Sequence, residues 1–174
     1  MSRPFRVERA DSIDPRMEPP RGQLTVLRPA TDDDADMLVA WHADPEVARY
    51  WDWESYTRET MLAELAEPDQ EPYIVEAEGR PVGFIQAWWE PARAAAGVDM
   101  FLVPEARGRG YGPDAARALA EHLLAGGWRR VTTDPYVWNH RAVRAWRRAG
   151  FRDVEEREPD EHHTARWLSM VFER

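Results

Sequence analysis

Apolar positions along the chain fall into two periods. Residues 73–77 and 82–89 are nearly continuous apolar runs, as in buried strands, and Glu78-Gly79-Arg80-Pro81 between them reads as a hairpin turn. Ala116, Leu119, Ala120, Leu123 and Leu124 instead fall three to four apart and define one face of a helix that Gly126-Gly127 ends. Ala142, Ala145, Trp146 and Ala149 repeat that spacing, with Asn139 as cap and Gly150 as stop. Upstream, Thr31-x-x-Asp34 opens a helix whose stripe begins at Ala35, Leu38 and Val39, Pro45 opens a short one, and Thr57 caps another reaching about Ala66. Short strands are expected at 24–28, 100–103, 131–133, 151–154 and 167–172. Strand, helices, a three-strand meander, helix, strand, helix and hairpin predict one α+β domain over 23–174. Residues 1–22 mix Pro, Arg and acids without period and read as a loosely ordered tail.

The centre of this order is 99–124. A strand broken by Pro104 leads into Arg107-Gly108-Arg109-Gly110-Tyr111-Gly112, and Pro113 then fits the first turn of a helix. Strand, glycine turn and helix aim several backbone N–H groups at one point, where the helix dipole favours an anion such as a pyrophosphate. The turn lacks the Gly-Lys-Ser/Thr of a P-loop and is too tight for a dinucleotide fingerprint.

Composition narrows the field. The 174 residues are 43% hydrophobic, enough for a core, and there is no cysteine, so disulfides, thiolate metal sites and Cys nucleophiles are excluded. No run is long and apolar enough to span a membrane, and the expectation is a soluble, cytoplasmic protein that does not use a membrane as partner. A net charge of −9 argues against bulk nucleic-acid binding and suits a cationic partner. Tyr50-Trp51-Asp52-Trp53-Glu54 mixes aromatic faces with carboxylates, the chemistry that holds ammonium groups, although the same rings also suit packing under the first helices. His162-His163 reads as a solvent loop before the last strand, and no metal is expected.

Arg107-x-x-Gly110-x-Gly112 after a strand, followed by Asn139-x-x-Ala142-x-x-x-Trp146-x-x-x-Gly150-Phe151, resembles the two acyl-CoA motifs of the GNAT N-acetyltransferase superfamily. The resemblance covers roughly 24–172. It implies a mixed sheet splayed between the strands carrying Asp99 and Thr132, with acetyl-CoA in the gap. Leu102, Val103, Arg107, Gly108, Arg109, Gly110, Tyr111, Gly112, Asn139 and Trp146 are then the candidate acetyl-CoA residues. Within that superfamily, Gly97-Val98-Asp99 and Thr133-Asp134-Pro135-x-x-x-Asn139 are similar to segments of aminoglycoside 6'-N-acetyltransferases. That likeness implies Asp99 as the base that takes the proton of the acceptor amine, with Trp51, Asp52, Trp53, Asp99, Asp134 and Tyr136 around the acceptor. An amine is protonated at neutral pH and must lose a proton before it attacks a thioester, and a nearby carboxylate suits that step.

Two positions depart from the superfamily pattern. Trp146 stands where a tyrosine is common, and an indole N–H is too weak an acid to protonate a thiolate, which leaves Tyr111, Tyr136, water or unassisted departure. Asp114 follows Pro113 where a basic residue is common and is expected to disfavour a pyrophosphate. Siderophore-type lysine N-acyltransferases resemble the chain at Trp41 to Trp51 but tend to carry histidine at the Asp99 position. A protein N-acetyltransferase and a non-catalytic acyl-CoA-binding module stay open, as do monomer and homodimer.

Overall fold

The computed structural model describes residues 18–52, 54–89 and 95–173. Seven strands form one sheet in the order β1-β2-β3-β4-β5-β7-β6. The strands are β1 (Val26–Pro29), β2 (Gln70–Ala77), β3 (Arg80–Trp88), β4 (Ala95–Leu102), β5 (Arg130–Thr133), β6 (Arg152–Arg157) and β7 (Trp167–Glu173). All neighbours are antiparallel except β4 and β5. That parallel pair matches only Ala95 to Arg130, Ala96 to Val131 and Gly97 to Thr132 before it ends, while β4 runs on to Leu102. The sheet is therefore splayed where the sequence places the gap.

Strand alternation divides β4 between two layers. Ala96 and Val98, with Met100 and Leu102 at its margin, join the core under α4 (Tyr111–Ala125) and α5 (His140–Ala149). Phe101 joins a second core with Phe84, Ile74, Leu38, Val47 and Met61, under α1 (Ala35–Ala43), α2 (Pro45–Ala48) and α3 (Arg58–Leu65). Asp99 shares the α1–α3 face with Phe101, two residues on, and no helix covers it.

The domain begins earlier than the composition suggests. Pro20 O accepts from Leu27 N–H at 2.9 Å, Gly22 N–H reaches Thr25 O at 2.9 Å, and Arg21 bridges Val26. Pro20, Arg21 and Gly22 are thus tied to the sheet, while residues 1–17 of the expected tail lie outside the described residues. β4 already pairs with β5 at Ala95 and Ala96.

Candidate active site

Three local causes shape the centre of the molecule. First, Gly108 and Gly110 have φ of 79° and 88°, the left-handed region in which a side chain would strain the turn. Gly110 caps α4 with no side chain on the helix end. Among the described residues nothing takes the N–H groups of Gly108, Arg109, Gly110 or Gly112, which leaves a cluster of donors at a helix N-terminus.

Second, β4 has an open edge beyond Gly97. Val103 N–H donates to Val82 O at 3.1 Å, so alternation turns the N–H and C=O of Met100 and Leu102 away from β3, toward the gap. Leu102 N–H stays open to the gap, while its carbonyl accepts from Arg107 Nε at 3.0 Å. Val103 N–H is taken by β3 and its carbonyl by Ala106 N–H at 3.0 Å, so neither is free for a pantetheine amide. Met100, whose N–H and C=O both face the gap, was not among the residues the motifs singled out. Asn139, Ala142 and Trp146 line the far side of the gap. Asn139 Oδ1 caps α5 through Ala142 N–H at 3.1 Å, and Trp146 is buried edge-on against Phe151.

Third, Gly97 makes room for an indole. A Cβ there would lie 2.3 Å from the Trp88 ring. Trp88 therefore lies across β4, and its Nε1–H donates to Asp99 Oδ2 at 2.7 Å.

The cleft above Asp99 holds about 590 Å³. Gln86, Trp88, Phe84 and Asp99 form its floor. Trp51, Asp52, Tyr56 and Glu64 form one wall, and Asp134, Tyr136, His163 and Trp167 the other. Burial, and then the charge of Asp134, push the Asp99 carboxyl up to about 7. Burial also raises the Asp134 carboxyl, against the opposing pull of His163. The walls meet at two points: Tyr136 donates its hydroxyl to Asp52 Oδ1 at 2.7 Å, and Tyr50 stacks on Trp138 at 5.6 Å. Asp52 reaches Tyr136 from a left-handed turn, φ 50°, which an aspartate tolerates. Trp51 serves packing and cleft at once, edge-on to Phe84 and Phe101. Trp53 lies outside the described residues.

Several charged and hydroxyl groups point elsewhere than the motifs suggest. Arg107 donates from Nε to Leu102 O at 3.0 Å and from Nη2 to Glu46 O at 2.7 Å, so its guanidinium fastens α2 to the glycine turn. Its backbone N–H is also bonded, to Pro104 O at 3.2 Å. Tyr111 is buried beneath the turn with its hydroxyl on Glu78 Oε1 at 3.0 Å, away from the cleft, so it cannot serve as acid there. Arg109 is exposed on the turn, and Arg147 is paired with Asp153. Asp114 accepts from Gln23, Leu24 and Thr25 N–H and from the Thr25 hydroxyl, and so pins the start of the domain onto α4. Trp88 and His163 are among the cleft residues to which motif reading gave no role. The signal for Trp88 was Gly97 opposite it in the meander.

Residues 25–152 match the family described as Acetyltransferase (GNAT) domain. The chain belongs to that family. The aminoglycoside N(6')-acetyltransferase type 1 of Klebsiella pneumoniae is 30% identical over 146 residues, 72% of each chain. The crystal structure of aminoglycoside acetyltransferase AAC(6')-Ib with coenzyme A and kanamycin superposes with a TM-score of 0.74 at 27% identity, covering 86% of this chain and 95% of that one. Spermidine N-acetyltransferase from Vibrio cholerae, at 16% identity and a TM-score of 0.74, shares the fold and covers 86% and 95%. This GNAT chain is an acetyl-CoA-dependent N-acetyltransferase with the α+β fold of that family.

The co-substrate brings an acetyl group activated as a thioester. The chain fits it by N–H donors at Gly108, Arg109, Gly110 and Gly112 that have no partner among the described residues, by the strand edge at Met100 and the Leu102 N–H, and by Trp146 across the gap.

Proposed function

We propose that the protein acetylates a primary amine of a polycationic small molecule, an aminoglycoside at its 6'-amine. The observation that carries this reading is the cleft: a carboxylate base on the floor, at Asp99, with further carboxylates at Asp52, Glu64 and Asp134 on both walls and aromatic rings between them. An acceptor with several ammonium groups is attracted by such walls and by the ring faces. Its reacting amine arrives protonated and needs a base matched to neutral pH. Asp99, raised to about 7, is ionised above that pH and holds a removed proton readily.

In this reading Asp99 takes the amine proton at Oδ1 or Oδ2, with Trp88 Nε1–H holding the carboxylate still. Asp134 and Asp52 receive neighbouring ammonium groups, and the bridges from Tyr136 and Trp138 to the opposite wall keep bulk water off the floor. The 30% identical relative named for 6'-acetylation supports the regiochemistry.

The test is acetyl-CoA-dependent thiol release with kanamycin, spermidine and N6-hydroxylysine, followed by locating the new acetyl group by NMR. Saturable turnover of kanamycin, acetylated at the 6'-amine, is expected. Turnover of hydroxylysine alone would move the protein to siderophore chemistry, and of spermidine alone to linear polyamines.

A further inference from the structure

His163 sits between two carboxylates. Its Nε2 lies 3.2 Å from Asp134 Oδ2 and its Nδ1 lies 2.8 Å from Asp160 Oδ1. The ring stacks on Trp167 at 4.2 Å with 14° between planes, and meets Tyr136 edge-on at 6.2 Å. Its side chain is only 15% exposed. Asp160 also accepts the backbone N–H groups of His162 and His163, both at 2.9 Å, so the loop closes around that carboxylate before the ring enters the cleft. The flanking backbones are fastened to each other. Val137 N–H donates to Arg166 O, and Leu168 N–H to Pro135 O, each at 2.9 Å. Thr164 N–H reaches the Tyr136 hydroxyl at 3.2 Å.

Of these contacts, that of His163 Nε2 reaches the cleft wall, at Asp134 Oδ2. An ionised carboxylate only accepts hydrogen bonds, and an imidazole donates from both nitrogens only when both carry protons. The ring offers Asp134 Oδ2 a donor wherever Nε2 carries a proton. The other charged or titratable groups around it are Tyr136 on the β5–α5 loop, Asp99 on β4 and Arg157 of β6, which lies over the Trp167 ring.

We propose that His163 is a positioning residue for the acceptor: it holds Asp134 through Oδ2 and leaves Oδ1 to receive an ammonium group in the cleft. This rests on the reading of the cleft as a polycation site. Burial works against a charge on Asp134, and the His163 contact opposes that effect, so loss of the ring weakens the ammonium site first, with a lesser effect on Asp99, whose carboxyl His163 pulls down only weakly. The effect belongs in acceptor KM, with acetyl-CoA unaffected.

The experiment compares wild type, His163→Ala, His163→Gln, Asp134→Asn and the double variant His163→Ala/Asp134→Asn in the thiol-release assay, with kanamycin and spermidine as acceptors. His163→Ala is expected to raise acceptor KM about tenfold with kcat within about threefold. Glutamine, which keeps one N–H donor, is expected to recover part of the loss. The double variant is expected to be no worse than Asp134→Asn alone. Additive effects, or an unchanged KM, overturn the proposal. A second readout needs no turnover. In 15N-labelled protein the imidazole signals of His163, assigned by their loss in His163→Gln, are expected to be moved by Asp134→Asn. Imidazole signals that Asp134→Asn leaves unmoved overturn it as well. A wild type silent on both acceptors would count against the function proposed above and would leave the imidazole spectrum to decide the clamp.

Discussion

Trp88 Nε1 and Asp99 Oδ2 lie 2.7 Å apart, joined across two strands because Gly97 has no side chain to hold the indole off. A donor to the charged form of a carboxylate lowers its pKa, so Trp88 partly offsets the upward push that burial and Asp134 give Asp99. Removing the N–H while keeping an aromatic ring, in Trp88→Phe, is expected to raise the Asp99 pKa. The acid limb of kcat/KM then moves to higher pH. At pH 7 activity falls by about three- to tenfold, and at pH 9 most of it returns. A pH–rate profile checks this, and an unmoved limb would leave Trp88 with packing alone.

Asp99→Asn separates the proton transfer from everything else in the cleft. It is expected to lower kcat by about a hundredfold or more while acetyl-CoA binding, read by calorimetry, stays at the wild-type value. The same variant carries a stability signature. Asp99 has a folded-state pKa near 7 against an ordinary value of 3.8, so the folded state binds the proton more tightly than the unfolded state. Stability therefore falls as pH rises from about 4 to about 7, and above 7 the full cost of the buried charge is present. Asparagine removes that cost. Thermal melts should show Asp99→Asn more stable than wild type at pH 8, with the difference closing by pH 4. A variant that is less stable at pH 8 would show that the ionised carboxylate supports the fold.

Asp114 shows the opposite sign. Burial pushes its carboxyl up, but the Thr25 hydroxyl and three backbone N–H groups outweigh that and hold it below the usual carboxylate range. Its contribution is present above pH 3.8 and is lost as pH falls through the lowered value. Asp114→Ala leaves the N–H groups of Gln23, Leu24 and Thr25 without their acceptor, and is expected to cost about 1–3 kcal/mol. Urea unfolding measures the loss. Hydrogen exchange at 23–25 should quicken in the variant while α5 stays protected.

How much of this was written in the chain depends on whether partners are close along it. Helix caps at Thr57 and Asn139, the stop at Gly150 and the turn at 107–112 are local, and residue chemistry alone indicates them. Asp99 was legible because its neighbours in sequence match a known segment. Long-range directions were not legible. The sequence marks Arg107 as a cation beside a glycine turn, but only the approach of α2 supplies Glu46 O as its acceptor. Asp114 reads as an unhelpful charge until residues 23–25, about ninety positions earlier, cross the start of α4. Tyr111 and Tyr136 look equivalent as hydroxyls, yet one is turned under the loop onto Glu78 and the other faces Asp52. His163 lies in a polar loop without period, and its partner Asp134 is brought to it by the pairing of β5 with β7.

The Asp52–Tyr136 and Tyr50–Trp138 contacts join two halves of the domain that the splay otherwise parts. One half carries α2 and the turn after it, the other the loop between β5 and α5. Trp138 is 44% exposed, which is unusual for so large a ring, and it stacks with both Tyr50 at 5.6 Å and Tyr136 at 5.5 Å. Such pairs are worth about 0.5–1.5 kcal/mol each beyond burial, too little to hold the fold but enough to bias how often the walls meet. Trp138→Ala is therefore expected to leave the melting temperature within about 3 °C while raising acceptor KM about fivefold. Hydrogen exchange should quicken at 134–139 and at 50–52 together, because each segment is the other's support. Faster exchange in only one of them would mean that the walls are held independently, and the KM effect should then be absent as well.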